Sequence, residues 1–173
     1  MNGAPVGQRN ILLTVGAQMP FDRLVKAVDQ WAASHPDVHV YAQVGDSSYL
    51  PINIESTNFI QPVDFRARVQ WADLIVAHAG MGSILMALQY GKPIVVMPRR
   101  GDLLETRNDH QVATATRFKT MGKVAVAIDE QELPGLLDDA ATICAGGVIS
   151  AEASKELIDA IRAFIHTPEG SDH

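Results

Sequence analysis

Apolar positions recur along this chain in two alternating rhythms. Short, mainly apolar runs at 10–15, 38–44, 74–77 and 93–97 are bounded by glycine, proline or polar residues, and each has the length of a buried strand. Between them, apolar residues return every three or four positions. Phe21, Leu24, Val25, Val28 and Trp31 form one such stripe, which stops before His35-Pro36; Phe65, Val69 and Ala72 form another, with Asp64 placed to cap it. Weaker runs at 58–61 and 124–128 bring the predicted strands to six. A helix from about Gly82 to Tyr90 is closed by Gly91 and Pro93, and one capped by Asn108 or Asp109 runs to about Met121 and ends at Gly122. Two last helices, 130–145 and 151–166, carry the stripes Leu133, Leu136, Leu137, Ala140 and Leu157, Ile158, Ile161, Ile165.

Strands that alternate with helices in this way predict an α/β fold: a Rossmann-like, doubly wound, six-stranded parallel sheet with right-handed crossovers. Residues 1–9 read as a flexible N-terminal arm, 10–166 as a single domain and 167–173 as a polar tail. Ligands of such sheets lie beyond the strand carboxyl ends at the switch point, so the loops at Gly16, Gly45, His78 and Pro98 are expected along one edge.

Composition narrows the class. A length of 173 residues suits one domain, and 47% hydrophobic with 20% charged residues is ordinary for a globular protein. No run approaches the roughly 18 apolar residues of a membrane span, and the first residues lack the apolar core of a secretory signal. Cys144 is the one cysteine, which rules out an internal disulfide and a cysteine metal cage. A cytoplasmic protein is expected. The formal charge of −6 argues against a nucleic-acid surface.

The chemistry concentrates in residues 75–111. There an apolar run breaks into His78-Ala-Gly80-Met-Gly82-Ser83 and then a helix, the order that an anion site needs. Gly80 and Gly82 let backbone approach a ligand. The free N–H groups of the first turn and the Ser83 hydroxyl can grip phosphate oxygens, and the helix dipole adds about 0.3–2 kcal/mol for an anion. A tight turn packed by glycines is the plainer alternative. His78, at the strand end, can bond phosphate or, if protonated, stabilise a leaving diphosphate; it could equally bond local backbone. Asp109, His110 and Gln111 stand at a helix start with acceptors and donors suited to sugar hydroxyls, although Asp109 could be only a cap. Arg99, Arg100 and Arg107 would welcome a negative ligand, even an acidic sugar, or be a solvated loop. A nicotinamide site fits poorly, because the third glycine of its fingerprint is Leu85, the strand is the fourth, and no ribose acid follows near Pro98. No histidine-carboxylate spacing suggests a bound metal, and no cofactor is expected.

Taken together, His78-x-Gly80-x-x-Ser83, Gly91-x-Pro93, Pro98 and Asp109-His110-Gln111 resemble the nucleotide-sugar-binding half of GT-B glycosyltransferases. With the opening Leu13-Thr-Val-Gly16 and Phe21-Asp22, the chain is most similar to the Alg13-like, family 28 C-terminal group over about residues 10–128. That resemblance implies a single GT-B half-domain that takes part in inverting, metal-independent transfer from a UDP-sugar. It assigns Gly16 to the crevice, His78, Gly80, Gly82 and Ser83 to the diphosphate, and Asp109, His110 and Gln111 to the sugar. It also implies a membrane-associated Alg14-like subunit that holds a lipid-linked acceptor and supplies the general base, with this chain at the inner face of the membrane through that partner. In one respect the chain departs from the pattern: Met86 stands where a ribose-binding Glu is usual, so the ribose contact falls to Glu105 or to another group. A nucleotide-binding regulatory module and a nucleotide-sugar epimerase are the competing readings.

Overall fold

The computed structural model describes residues 8–121, 124–140 and 159. Its centre is the parallel pair β1 (Arg9–Thr14) and β4 (Leu74–His78), joined residue by residue from Ile11 opposite Leu74 to Thr14 opposite Ala77. Outside β1 lie β2 (Val38–Gln43) and the edge strand β3 (Glu55–Thr57); outside β4 lie β5 (Ile94–Met97) and β6 (Ala125–Val126). The order β3-β2-β1-β4-β5-β6, with every pair parallel, is the doubly wound arrangement expected from the alternating pattern, and it puts the switch point between β1 and β4.

Because side chains alternate across a strand, β1 feeds two cores at once. Ile11 and Leu13 face α1 (Asp22–Ala32) and α5 (Leu133–Asp138), where they meet Leu24, Val28, Leu133 and Leu137. Leu12 faces the opposite layer, with Val69 of α2 (Pro62–Trp71), Ile84 and Leu88 of α3 (Met81–Gln89), and Phe118 of α4 (His110–Met121). The central strands are covered on both faces, which explains why they read as continuous apolar runs.

Several boundaries differ from the expectations. The third strand is Glu55–Thr57 rather than 58–61. As an edge strand it is polar and largely exposed, whereas the apolar Phe59 and Ile60 belong to the following connection; there the buried Ile60 N–H donates to Gln43 Oε1 at 3.0 Å. Asp64 is not the cap of α2: Pro62 opens that helix after Gln61, and Asp64 lies in the first turn. The helix expected over 130–145 is described as α5, which starts at Leu133, and residues 141–145 lie outside the described set. Gly122, Cys144, the tail 167–173, residues 1–7 of the arm and all of the expected helix 151–166 except the helical Asp159 also lie outside it. Among the described residues no helix is long and apolar enough to cross a membrane.

Candidate active site

The site begins where the two central strands end side by side. After β1 the chain turns at Gly16 in a left-handed conformation (φ +80°), which glycine adopts without strain. The Gly16 N–H donates to Thr14 Oγ1 at 3.1 Å, and Gln43 Nε2 donates to the Gly16 carbonyl at 3.1 Å. After β4, Gly80 is extended (φ −93°, ψ 140°) and caps α3 without any side-chain hydrogen bond. The first-turn N–H groups of Met81, Gly82 and Ser83 therefore face outward at the positive end of a nine-residue helix, at the switch point. A Cβ on Gly82 would meet nothing within 4 Å, so this glycine leaves the approach open.

The His78 ring fills the space between the two glycine turns. A Cβ on Gly16 would come within 2.8 Å of its Cε1, and one on Gly80 within 2.1 Å of Nε2. Nδ1 is buried without a hydrogen-bond partner. Burial and the positive charge of Arg99 lower the His78 pKa from 6.5 to about 4, against a weaker opposing effect of the Thr14 backbone. In the free chain His78 is neutral at neutral pH, so the protonated form considered from sequence is not its resting state.

Arg99 follows β5 but does not reach into solvent, being only 5% exposed. Its Nη2 donates to the carbonyls of Val15, at 2.8 Å, and Met19, and its guanidinium centre lies 5.1 Å from the Phe21 ring centroid. Burial holds its pKa below the usual arginine value, with Glu105 opposing. Arg100 is spent on Asp102, with Nη2 to Oδ2 at 2.6 Å. Of the two arginines expected beside a negative ligand, Arg99 is thus bonded to backbone inside the protein and Arg100 is paired with Asp102 at the surface.

The β5–α4 loop folds back on itself through Asp109 and Gln111. Asp109 Oδ1 accepts the Gly101 N–H at 2.8 Å, while its carbonyl receives the N–H groups of Val112 and Ala113, so Asp109 does start α4. The half-buried Gln111 uses Oε1 to accept the Arg99 N–H at 3.1 Å, and His110 is exposed. Beside them Pro98, Arg100, Asp102, Asp109, Val112 and Ile128 line a cavity of about 240 Å³.

Glu105, the candidate ribose acceptor, is engaged in an ion pair. Its carboxylate takes both arms of Arg23, at 2.7 and 2.9 Å, and the Arg100 N–H at 2.9 Å. Met86 is half-buried against the α3 side of the core, so neither position offers the acid. Reading the sequence missed Arg23, which also donates to the Pro98 carbonyl at 3.1 Å and to Glu130 at 2.8 Å. A single arginine in a helix's first turn gives no sign of such distant partners. Gln43 was also missed, although a polar residue closing an apolar run is a visible signal. Among the described residues no three His, Cys, Asp or Glu side chains gather as a metal site.

Residues 10–145 match the Glycosyltransferase family 28 C-terminal domain. The chain belongs to this family. Among curated proteins it is 42% identical over 67 residues to the UDP-N-acetylglucosamine transferase subunit ALG13 of Eremothecium gossypii, a match covering 38% of this chain and 31% of that protein. The corresponding mouse subunit is 32% identical over 89 residues, covering 49% of this chain and only 7% of its relative. The fold is that of a GT-B half. The glycotransferase of kitacinnamycin superposes with a TM-score of 0.61 at 28% identity, over 93% of this chain and 41% of its own. The family member described here therefore spans well under two thirds of these relatives.

Proposed function

We propose that this chain is the donor-binding part of a glycosyltransferase that uses a UDP-sugar, transfers with inversion and works as one half of a two-component enzyme. The observation that carries the reading is the open N-terminus of α3 beside His78 at the switch point. It offers three backbone donors and a dipole to a diphosphate. Asp109–Gln111, at the start of α4 and hydrogen-bonded back to Arg99 and Gly101 just beyond β5, support this reading as the residues that would take the sugar.

In this reading the acceptor hydroxyl attacks the anomeric carbon as the bond from that carbon to the diphosphate oxygen breaks. The electron pair leaves on the UDP, where the α3 N–H groups and His78 Nε2 stabilise it. An arriving diphosphate favours the protonated imidazole, so His78 gains its charge when the leaving group needs it. The acceptor proton goes to a base on a second subunit, which holds the lipid-linked acceptor at the cytoplasmic face of a membrane. Polysaccharide or glycolipid assembly is the corresponding role.

One feature supports a partner across the crevice. Met19, Phe59, Val63, Leu103 and Leu104, large apolar residues that are exposed, all stand on segments that leave the carboxyl ends of β1, β3 and β5. The test is calorimetric titration of the chain with UDP and a panel of UDP-sugars. Binding of UDP and a preference for one UDP-sugar is expected; no binding of any member would remove the donor-site reading. Full transferase turnover by the isolated chain would remove the two-component reading alone.

A further inference from the structure

Arg99 is an unusual residue to bury. It carries a permanent charge at 5% exposure, no carboxylate among the described residues is within salt-bridge distance, and its Nε is buried without a partner. Core stability gives little reason for such a side chain, since an apolar residue of similar length would fill the space without desolvating a charge. Its bonds explain it better. Through Nη2 it holds the Val15 and Met19 carbonyls, which flank the Gly16 turn on both sides. Through its own N–H it holds Gln111 at the start of α4. Met19 is 39% exposed and the 17–20 segment has no regular structure, so these bonds to Arg99 fix an otherwise open loop. The Gly16 turn in turn presses on the His78 ring.

We propose that Arg99 is a positioning residue that clamps the β1–α1 turn to the β5–α4 loop, so that the diphosphate grip and the sugar grip are set at a fixed separation. It touches neither phosphate nor sugar itself. The inference rests on the donor-site reading for its ligand, but the clamp is a property of the free protein. It predicts coupling between residues 15–20 and the β5–α4 loop, which among the described residues share hydrogen bonds only through the Arg99 side chain, while Arg23 separately ties the start of α1 to that loop at Pro98 and Glu105.

The test uses the full chain with Arg99→Met and Arg99→Lys, both compared with the unaltered protein. Lysine keeps the charge and can still reach a carbonyl, and it serves if the methionine variant fails to fold. In the ligand-free protein, amide hydrogen exchange should quicken together in residues 15–20 and 108–113 of Arg99→Met, leave 38–43 unchanged and recover partly in Arg99→Lys. In calorimetry well below the unfolding midpoint, UDP affinity should fall about tenfold or more in Arg99→Met. Affinity for UMP, which lacks the second phosphate, should fall at most about threefold. Exchange that changes in one loop only, or in neither, overturns the clamp. So does an equal loss for UDP and UMP, which would mark a general weakening of the fold. If the unaltered protein binds no uridine nucleotide, the donor reading fails instead, and the exchange result still decides the clamp.

Discussion

The His78 imidazole occupies the volume that a side chain at Gly80 would need: a Cβ there would lie 2.1 Å from Nε2 and 2.7 Å from Cδ2. Gly82, two residues on, has nothing within 4 Å. The pair of glycines thus answers two different demands. Gly80→Ala must drive the ring out of its slot and should cost about 1–3 kcal/mol of stability. Gly82→Ala, in the first turn of α3, should leave stability equal or raise it by up to about 1 kcal/mol, while weakening UDP binding because backbone approach is lost. Thermal melts paired with UDP titrations separate the two; equal melting temperatures for both variants would contradict the packing.

The depressed His78 pKa makes the fold acid-sensitive with a definite sign. The unfolded chain binds a proton near pH 6.5 and the folded chain only near pH 4, so the unfolded state holds more protons in between. Stability is complete above about pH 6.5 and is lost as pH falls toward 4, by up to about 3 kcal/mol. His78→Gln should flatten this part of the profile. Melting temperatures between these limits, for both proteins, are the measurement; parallel profiles would show that another group carries the effect.

Arg23 and Glu105 form the most enclosed ion pair among the described residues, with side chains 13% and 14% exposed. Removing one partner leaves the other charge stranded. Arg23→Met should therefore cost about 2–4 kcal/mol and loosen the β5–α4 loop, whereas Arg23→Met combined with Glu105→Gln should recover part of the loss. Urea unfolding in a double-mutant cycle reads the coupling. Purely additive losses would mean that the pair is not a unit.

Asp29 shows a carboxylate buried for architecture alone. It is fully enclosed on α1 and accepts from the Tyr49 hydroxyl at 2.7 Å and from the N–H groups of Ile52 and Asn53 at 3.1 and 2.7 Å. The hydroxyl bond to Asp29 raises the Tyr49 pKa. Asp29→Ala should cost about 2–4 kcal/mol by stranding these donors, and Asp29→Asn should cost clearly less because one carbonyl oxygen still accepts. Denaturant melts of the two variants check the order; donor-site affinity should stay near its original value in both.

The double-wound sheet was legible because Ile11–Leu13 of β1, Leu74–Ala77 of β4 and Ile94–Met97 of β5 are buried on both faces and therefore apolar. β3 was misplaced for the converse reason: an edge strand of Glu, Ser and Thr has no burial to write into the sequence. The strand-to-helix turn was legible from Gly80 and Gly82, of which Gly80 is hemmed in by the His78 ring. The roles of Arg99, Arg100 and Glu105 were not. A charged side chain near a site looks the same in sequence whether it faces a ligand or, as here, is consumed by carbonyls, by Asp102 or by Arg23.

The ring wedged between Gly16 and Gly80 also has a consequence across evolutionary time. Those two positions stand far apart in the sequence yet share one neighbour, so they are not free to vary separately. A relative that carries a larger residue at either glycine must also shrink or replace the side chain at 78, and then rebuild the opposite turn to match. Substitutions at these three positions should therefore be inherited as a set.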